Sequence, residues 1–439
     1  MKKGVIIVLV LLAAIVLVSP AIVGRLAEKS MDENLNWAAE EAGGLNVTSE
    51  GFDRSLLSSE GQHRVELEEG QLLAALEAMG LAADPEELPV LIINTKLDHG
   101  LIPVSSMSRE RGSLAPGLAV GVSTLQVELP DGQLVDLPGT IYSKVGLGGA
   151  LHSNFVLDAG SHADGDAAAS WGDTSVNVKT DPSTGVVVFD GSVGPLLIGN
   201  DREGLSVAEL TFEGEQQPTK YGFATGDVMF NLSDLSARSA GADATGVRSM
   251  ALKANTELDD DRVSANATMT MAMHSIPQVG EMSFDMDFSI DGADAVSLGR
   301  IQAALEDVGP AAQDPMAIYG TMEEDLKQLF ASGFAMNFDR LDVVLPQGTV
   351  KLQMAFTFGE EDPATFDWTS LLLSTEADVD LSVPAVLVEA AGQGNPQLAM
   401  AIGSGFLVKE GDAYIMKAQL KKGLATVNGA PIPIPLGGM

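Results

Sequence analysis

The sequence predicts a mainly β protein with some α-helix: a long curved antiparallel sheet with covering helices, preceded by one transmembrane helix. Three observations carry this prediction. Apolar and polar residues alternate with a period of two through most of the chain. Turn signals rich in Gly, Pro and Asp separate the alternating segments. One long uncharged apolar segment stands at the amino terminus.

Residues 1–24 are predicted to form a membrane anchor. Lys2 and Lys3 precede the uncharged segment Gly4–Gly24, and about 20 helical residues cross a hydrocarbon core of about 30 Å. The two lysines place the amino terminus in the cytoplasm, so the remaining chain is exported. A cleavable signal peptide is the alternative, because the strongest apolar run is Val5–Val18 and Ser19–Ala21 offers small residues for cleavage.

A helical stalk over residues 25–44 is expected to follow the anchor. Apolar residues recur at helical spacing up to Ala42, and Gly43 and Gly44 then stop the helix. Residues 45–439 are expected to form one β-rich body. In its first half the alternation predicts these strands: Pro89–Leu97, Gly121–Leu129, Gly132–Leu137, Ser175–Thr180, Gly185–Asp190 and Leu205–Glu213.

The second half of the body shows longer alternating segments. In Ser283–Ile290 every second residue is apolar, so one face is packed and the other is solvated. Helical spacing predicts helices that cover the sheet or cap one end of it: Leu298–Val308, Pro315–Ala331 and Pro384–Ile402. Alternation predicts these strands: Gly222–Leu232, Val247–Leu258, Arg262–His274, Met282–Ile290, Phe334–Leu345, Gly348–Phe358, Leu371–Leu381, Phe406–Lys409, Ala413–Leu420 and Leu424–Val427.

Charge and composition exclude several classes of function. Against 61 Asp and Glu stand 25 Lys and Arg, a net charge of -36 that repels a phosphate backbone and argues against nucleic acid as a partner. The absence of cysteine excludes disulfides, thiolate zinc sites, iron–sulfur clusters and a cysteine nucleophile. Salt screens self-repulsion, so the acidity indicates a halophilic or marine source; an ordinary acidic surface is the alternative.

Motifs for catalysis or metal binding are weak. The five histidines lack zinc-site spacing, and His162–Asp166 with Asp158 lacks the downstream glutamate of an EF-hand, which favours a solvated turn. Gly146–Gly149 lacks the phosphate-loop pattern, and Gly191–Gly194 and Gly403–Gly405 have the wrong interval for a nucleophile elbow. The chain is therefore predicted not to be an enzyme, with no catalytic, cofactor-binding or metal-binding residue assigned.

An apolar sheet face offers a possible binding surface. If helices cover the face only in part, an open groove suits acyl chains. Methionines on adjacent predicted strands suit such an adaptable groove, although a methionine stripe is more often ordinary core packing. These methionines are Met269, Met271, Met273, Met282 and Met286.

Six segments of the chain, taken in order, carry a family resemblance: Glu50–Gly61, Asp98–Pro103, Ala169–Gly172, Gly194–Ile198, Tyr221–Asp227 and Ala425–Pro431. Together they resemble the YdgA-like family of bacterial envelope proteins, which have an amino-terminal membrane helix and no assigned activity. Asp98–Pro103 is similar to a His-Gly-Pro-aromatic-Pro element of that family, from which Leu101 and Ile102 depart. Gly226-Asp227 and Asn428-Gly429 are interpreted as hairpin turns, and Phe52 and Leu57 as sheet anchors.

The resemblance implies a single-pass protein of the bacterial inner membrane with its bulk in the periplasm. The expected function is a non-enzymatic scaffold or interaction module, with the inner membrane and a lipid or envelope protein as partners. The alternative is a carrier of lipid or another hydrophobic ligand with an apolar sheet groove, by analogy with elongated β-groove proteins of the AsmA type.

Overall fold

The computed structural model describes residues 45–54, 58–67, 90–99, 119–129, 132–164, 167–199, 204–238, 245–274, 276, 279–308, 315–392 and 395–433. These described residues form a mainly β protein, with a long antiparallel sheet of 25 strands and with five helices. The prediction of a long antiparallel sheet accompanied by helices is thereby confirmed. The helices are α1 Ala295–Val308, α2 Pro315–Ala331, α3 Trp368–Ser374, α4 Ala385–Gly392 and α5 Pro396–Gly403.

The strands are numbered in chain order. Those up to residue 238 are β1 Leu45–Arg54, β2 Ser58–Leu67, β3 Val90–His99, β4 Ala119–Glu128, β5 Leu134–Val145, β6 Leu151–Leu157, β7 Gly160–Asp164, β8 Ala167–Trp171, β9 Thr174–Thr180, β10 Val187–Val193, β11 Leu196–Gly199, β12 Gly204–Val207, β13 Leu210–Pro218, β14 Ala224–Leu232 and β15 Leu235–Arg238. Those after residue 238 are β16 Thr245–Asp259, β17 Arg262–Met273, β18 Ser283–Asp294, β19 Phe334–Leu345, β20 Gly348–Phe358, β21 Glu376–Pro384, β22 Val408–Glu410, β23 Ala413–Lys421, β24 Leu424–Val427 and β25 Ala430–Ile432.

The chain divides into two compact units. The first comprises Met1–Gln217 and Phe230–Ala244, and the second comprises Pro218–Met229 and Thr245–Met439. In the first unit, antiparallel pairing runs in the order β1-β2-β3-β4-β5-β6-β9-β10-β13. A second run of strands in that unit has the order β7-β8-β11-β12-β15.

The first unit has a sealed core on one face of its main run of strands. Leu91, Leu125, Phe155, Val176 and Val178 are all buried there. These residues occupy alternate positions on strands β3, β4, β6 and β9, so their side chains lie on one face of the pleated sheet. Burial of β-branched, aliphatic and aromatic residues on this face supplies the main driving force for the fold of the unit.

In the second unit the strands follow chain order, β16-β17-β18-β19-β20-β21-β23, as successive antiparallel neighbours. Strand β22 pairs with β23, and β24 links β23 to β25. Arg262 joins two elements at one end of this run, because its Nη1 donates to the carbonyl oxygens of Gly292, at 2.8 Å, and Gly333, at 3.1 Å. The guanidinium thereby ties the end of β18 to the connection between α2 and β19.

Most element types follow the sequence predictions, with three corrections. Leu371–Leu381 is wrong as a single strand, because α3 occupies its first part; Asp367 caps that helix by accepting from the backbone N–H groups of Thr369 and Ser370 at 2.7 and 2.8 Å. Pro384–Ile402 is wrong as one helix, because Asn395 starts a separate helix, α5, as its N-cap. Leu205–Glu213 contains the two strands β12 and β13.

The predicted turn at Asn428-Gly429 is confirmed. Both residues have positive φ, 50° and 80°, and they join β24 to β25. The Asn428 side chain adds hydrogen bonds, donating through Nδ2 to Gly405 O at 2.8 Å and accepting through Oδ1 from Lys417 N–H at 2.8 Å. The predicted turn at Gly226-Asp227 is wrong, because both residues lie inside β14.

The predicted anchor, residues 1–24, and the predicted stalk, residues 25–44, lie outside the described residues, as does Leu57. Phe52 lies in β1. Among the helices that the structure describes, none combines the length and the apolar character needed to cross a membrane.

Candidate binding surface

Two parallel rows of apolar side chains cross seven strands of the second unit. We call them the apolar rows. Period-two alternation places their members on one face of the sheet, and the antiparallel register aligns them across β16, β17, β18, β19, β20, β21 and β23. One row is Leu252, Met269, Met286, Leu341, Leu352, Leu381 and Met416, and the other is Ala254, Ala267, Phe288, Phe338, Met354, Val379 and Ala418.

All fourteen side chains of the apolar rows are half-buried, and none is buried. The sealed face of the first unit behaves differently: Phe155 and Val176 are 0% exposed, and Leu125 and Val178 are 1% exposed. Both faces belong to antiparallel strands with apolar residues at alternate positions, so the contrast reflects what packs on them. Among the described residues, the apolar rows therefore retain contact with solvent.

A β-bulge in β19 keeps the apolar rows continuous. Phe338 pairs with Met354 and Leu341 pairs with Leu352, so two residues of β19, Asp339 and Arg340, lie opposite the single residue Gln353. The Gln353 Nε2 donates to Asp339 O at 2.9 Å across the bulge. Because a bulge adds one residue and restores the alternation beyond it, Phe338 and Leu341 remain on the same face.

An aromatic cluster packs on this face at one end of the strands. The ring of Phe330, in α2, lies edge-on to Phe358 with a centroid distance of 4.9 Å and edge-on to Trp368, in α3, at 5.8 Å. The ring centroid of Phe334 lies 5.6 Å from that of Phe330. Offset and edge-to-face ring pairs of this kind stabilise such clusters. Helices α2 and α3 therefore cover the face where β19 begins and β20 ends.

A second group of residues covers part of the opposite end. Buried Ala385, Val388 and Tyr414 form a small core beneath α4 and α5, against Val383 and Ile402. Val383 and Tyr414 are cross-strand partners on β21 and β23. Helices therefore pack on this face at one end of β19 and β20 and at the other end of β21 and β23.

The other face of the same strands is polar. Asp285, Asp287 and Asp380 alternate with members of the apolar rows along their strands. Gln419 Nε2 donates to the Asp378 carboxylate at 2.8 Å across β21 and β23. This face has the solvated character that alternation predicts, so the sheet is amphipathic in cross-section.

The sequence motifs considered for chemistry lie in ordinary structural settings. Gly146–Gly149 forms the turn between β5 and β6, in which Gly146 N–H donates to Ala150 O at 2.8 Å. Gly191–Val193 lies in β10 and Gly403 ends α5. Within β7, His162 is the strand partner of Ala169. No group of three or more His, Asp or Glu residues in the described part of the chain is arranged to hold a metal ion.

One cluster of titratable groups lies away from the apolar rows. The Asp261 carboxylate accepts from the Tyr221 hydroxyl and lies 3.3 Å from Lys220 Nζ. The Tyr221 hydrogen bond and then the Lys220 ammonium lower the pKa of Asp261, while the Tyr221 hydroxyl and then Asp261 raise the pKa of Lys220. Asp261 and Lys220 are largely exposed, so this arrangement is a surface contact rather than a catalytic pocket.

Two of the segments that carry the family resemblance meet in space. Leu196 and Ile198 of β11 pair with Trp171 and Ala169 of β8. Close backbone approach explains the glycines beside them: a Cβ at Gly194 would lie 2.5 Å from Asp173 O. These segments therefore determine architecture.

Comparison with known proteins gives one match. A family model described as "Bacterial protein of unknown function (DUF945)" matches residues 1–435. None of the curated proteins and none of the solved structures matches the chain.

Proposed function

The chain belongs to the DUF945 family of bacterial proteins of unknown function, and on that premise we propose that it is a non-enzymatic envelope protein that binds aliphatic chains on the apolar rows. The half-buried state of all fourteen side chains is the observation that carries this proposal. Contiguous apolar surface that retains contact with solvent is a common property of ligand and partner sites.

The chemistry of the apolar rows favours an aliphatic occupant. Their side chains are those of Ala, Val, Leu, Met and Phe, which offer no strong hydrogen-bond donor or acceptor. A peptide strand laid on this surface would leave backbone polar groups without partners, which costs free energy. An acyl chain has no such groups. Met269, Met286 and Met354 add flexible side chains that adapt to its shape.

The dimensions of the rows also fit an acyl chain. Seven strands about 4.8 Å apart give each row a length of about 29 Å, and adjacent rows are about 6.8 Å apart. One leaflet of a bilayer is about 15 Å thick in its hydrocarbon region. A single acyl chain lying across the strands therefore fits within a row, with its length directed from strand to strand.

Charge limits the kind of lipid. The net charge of -36 disfavours anionic ligands at long range. Aspartates such as Asp285 and Asp287 lie on the polar face of the same strands. Uncharged or zwitterionic lipids with long acyl chains are the expected ligands.

Residues 1–24 provide the membrane attachment in this proposal. Their uncharged apolar segment behind Lys2 and Lys3 supports a single-pass anchor in the bacterial inner membrane, with the amino terminus cytoplasmic and the bulk periplasmic. The resemblance to YdgA-like envelope proteins supports the same placement. Mass spectrometry of the mature amino terminus tests this placement. If the mature protein lacks the residues up to Ser19–Ala21, residues 1–24 are a cleaved signal peptide and not an anchor.

Binding is tested with the neutral dye N-phenyl-1-naphthylamine on detergent-free full-length protein, with competition by monoolein. The double variant Met269→Gln and Met354→Gln places amides on the apolar rows. The matched control, Thr268→Gln and Ala355→Gln, places the same amides one residue away on the exposed polar face. We expect the row variant to weaken dye binding by about tenfold, because two polar groups become desolvated on binding.

Equal affinity in the row variant, the control and the unmodified protein would refute the proposal. Mass spectrometry of the lipid extracted from the purified protein is a second test, and we expect it to detect lipids with acyl chains. If extraction recovers no lipid and crosslinking from row positions instead captures an envelope protein, the protein is an interaction scaffold and the carrier proposal is wrong.

A further inference from the structure

We infer that the methionines on the sheet face that carries the apolar rows form an oxidant-sensitive site, at which sulfoxide formation ends ligand binding. This inference rests on the proposed function. Eight of the 18 methionines lie on the sheet face that carries the apolar rows, all half-buried. They are Met250, Met269, Met271, Met273, Met286, Met336, Met354 and Met416.

The described residues of the two units differ in methionine content. The described residues of the first unit, whose sheet face is sealed, contain no methionine. In the second unit, methionines are direct cross-strand neighbours: Met250 pairs with Met271, and Met269 pairs with Met286. Such partners have Cβ atoms about 5 Å apart. The thioethers are therefore concentrated on the face that retains contact with solvent.

The reaction is the two-electron oxidation of a thioether by a peroxide such as hydrogen peroxide. The O–O bond of the peroxide breaks, one oxygen forms a bond to the methionine sulfur, and the other oxygen leaves as water. The sulfur is oxidised and the peroxide is reduced. Because the chain has no cysteine, methionine is its only sulfur-containing residue and no thiol competes for the oxidant.

A sulfoxide changes the surface that an acyl chain meets. The group is a strong hydrogen-bond acceptor, and the neighbouring side chains of the apolar rows offer no donor. Unbound, the sulfoxide is hydrated at a half-buried position. Covering it with an aliphatic chain removes that water without replacement, which opposes binding.

The experiment compares hydrogen peroxide treatment of the unmodified full chain with treatment of a variant in which the four methionines of the apolar rows are leucine: Met269→Leu, Met286→Leu, Met354→Leu and Met416→Leu. Leucine keeps the volume and apolar character but cannot be oxidised. Met400→Leu is the control, because Met400 lies in α5 outside the apolar rows and is 70% exposed. Peptide mass spectrometry assigns each sulfoxide, and N-phenyl-1-naphthylamine titration measures affinity.

Oxidation is expected to weaken dye binding by about tenfold in the unmodified chain and in Met400→Leu, and by less than about threefold in the four-leucine variant. Methionine sulfoxide reductases are expected to restore binding, which unfolding would prevent. Unchanged affinity after the row methionines are oxidised would overturn the inference, as would an equal loss in the leucine variant. Absence of dye binding before treatment in both proteins would instead refute the proposed function.

Discussion

Truncation of one leucine in each unit tests whether the sheet face around that leucine is sealed or open. Leu125→Ala removes a side chain that is 1% exposed in the first unit. Packing around it is dense: a Cβ built at Gly139 would lie 3.1 Å from Leu125 Cδ1 and within 3.4 Å of atoms in Leu157 and Phe155. Such a site cannot collapse around the cavity, so the expected loss in free energy of unfolding is about 3–4 kcal/mol.

Leu352→Ala removes the same atoms from the centre of the apolar rows, where the side chain is half-buried. No closed cavity forms there, and only part of the transfer free energy is lost, so we expect a cost of about 1 kcal/mol. The difference between the two variants, about 2–3 kcal/mol, corresponds to more than a tenfold change in the unfolding equilibrium constant.

Urea unfolding is monitored by pulsed hydrogen–deuterium exchange and mass spectrometry, which assign each loss in free energy of unfolding to peptides of one unit. This separation is needed because a chain with two units need not unfold in one step. A loss of about 3 kcal/mol or more for Leu352→Ala would refute the open face, since a loss of that size requires a sealed site.

Three further predictions follow from other contacts. Arg262→Ala removes two hydrogen bonds to backbone carbonyls and is expected to destabilise the second unit by about 1–2 kcal/mol in urea unfolding; an unchanged midpoint would contradict the role of this side chain. The pKa of Asp367 is lowered from 3.8 by backbone hydrogen bonds from Ser370 and then Thr369, so its contribution to α3 is complete above pH 3.8 and is lost as pH falls through the lower folded-state pKa. Amide exchange should show α3 losing protection with acid in the unmodified chain but not in Asp367→Asn, and identical profiles would contradict this assignment. Melting temperature should rise from low to molar NaCl because salt screens the net charge of -36; a flat profile would remove the halophilic interpretation in favour of an ordinary acidic surface.

Alternation located the long strands β16 to β20, while local capping explains the failure at Leu371–Leu381. The bounds of β19 and β20 coincide with the predicted segments, because clear turn residues bound each strand. The apolar residues Leu371–Leu373 were consistent with a strand, but the capping residue Asp367 and Ser370 at the third helical position favour α3. That capping box was the available signal.

The candidate surface was predictable in composition but not in exposure. Alternation identified Met269, Met271 and Met286 as residues of one face, which the register confirms. Whether that face is covered depends on contacts with helices far away in sequence, such as Phe330 with Phe358. Period-two patterns describe a single strand and contain no information about these distant contacts.

The bulge at Asp339 and Arg340 keeps the apolar residues of both halves of β19 on the same face of the sheet. Deleting one of these two residues would turn every side chain from Phe334 to Phe338 to the opposite face of the sheet. Met336 would then lie on the polar face. Insertions and deletions between relatives should consequently concentrate in connections outside β19, because the loss of one residue at the bulge would reverse the facing of half of the strand while leaving the identities of the reversed side chains unchanged.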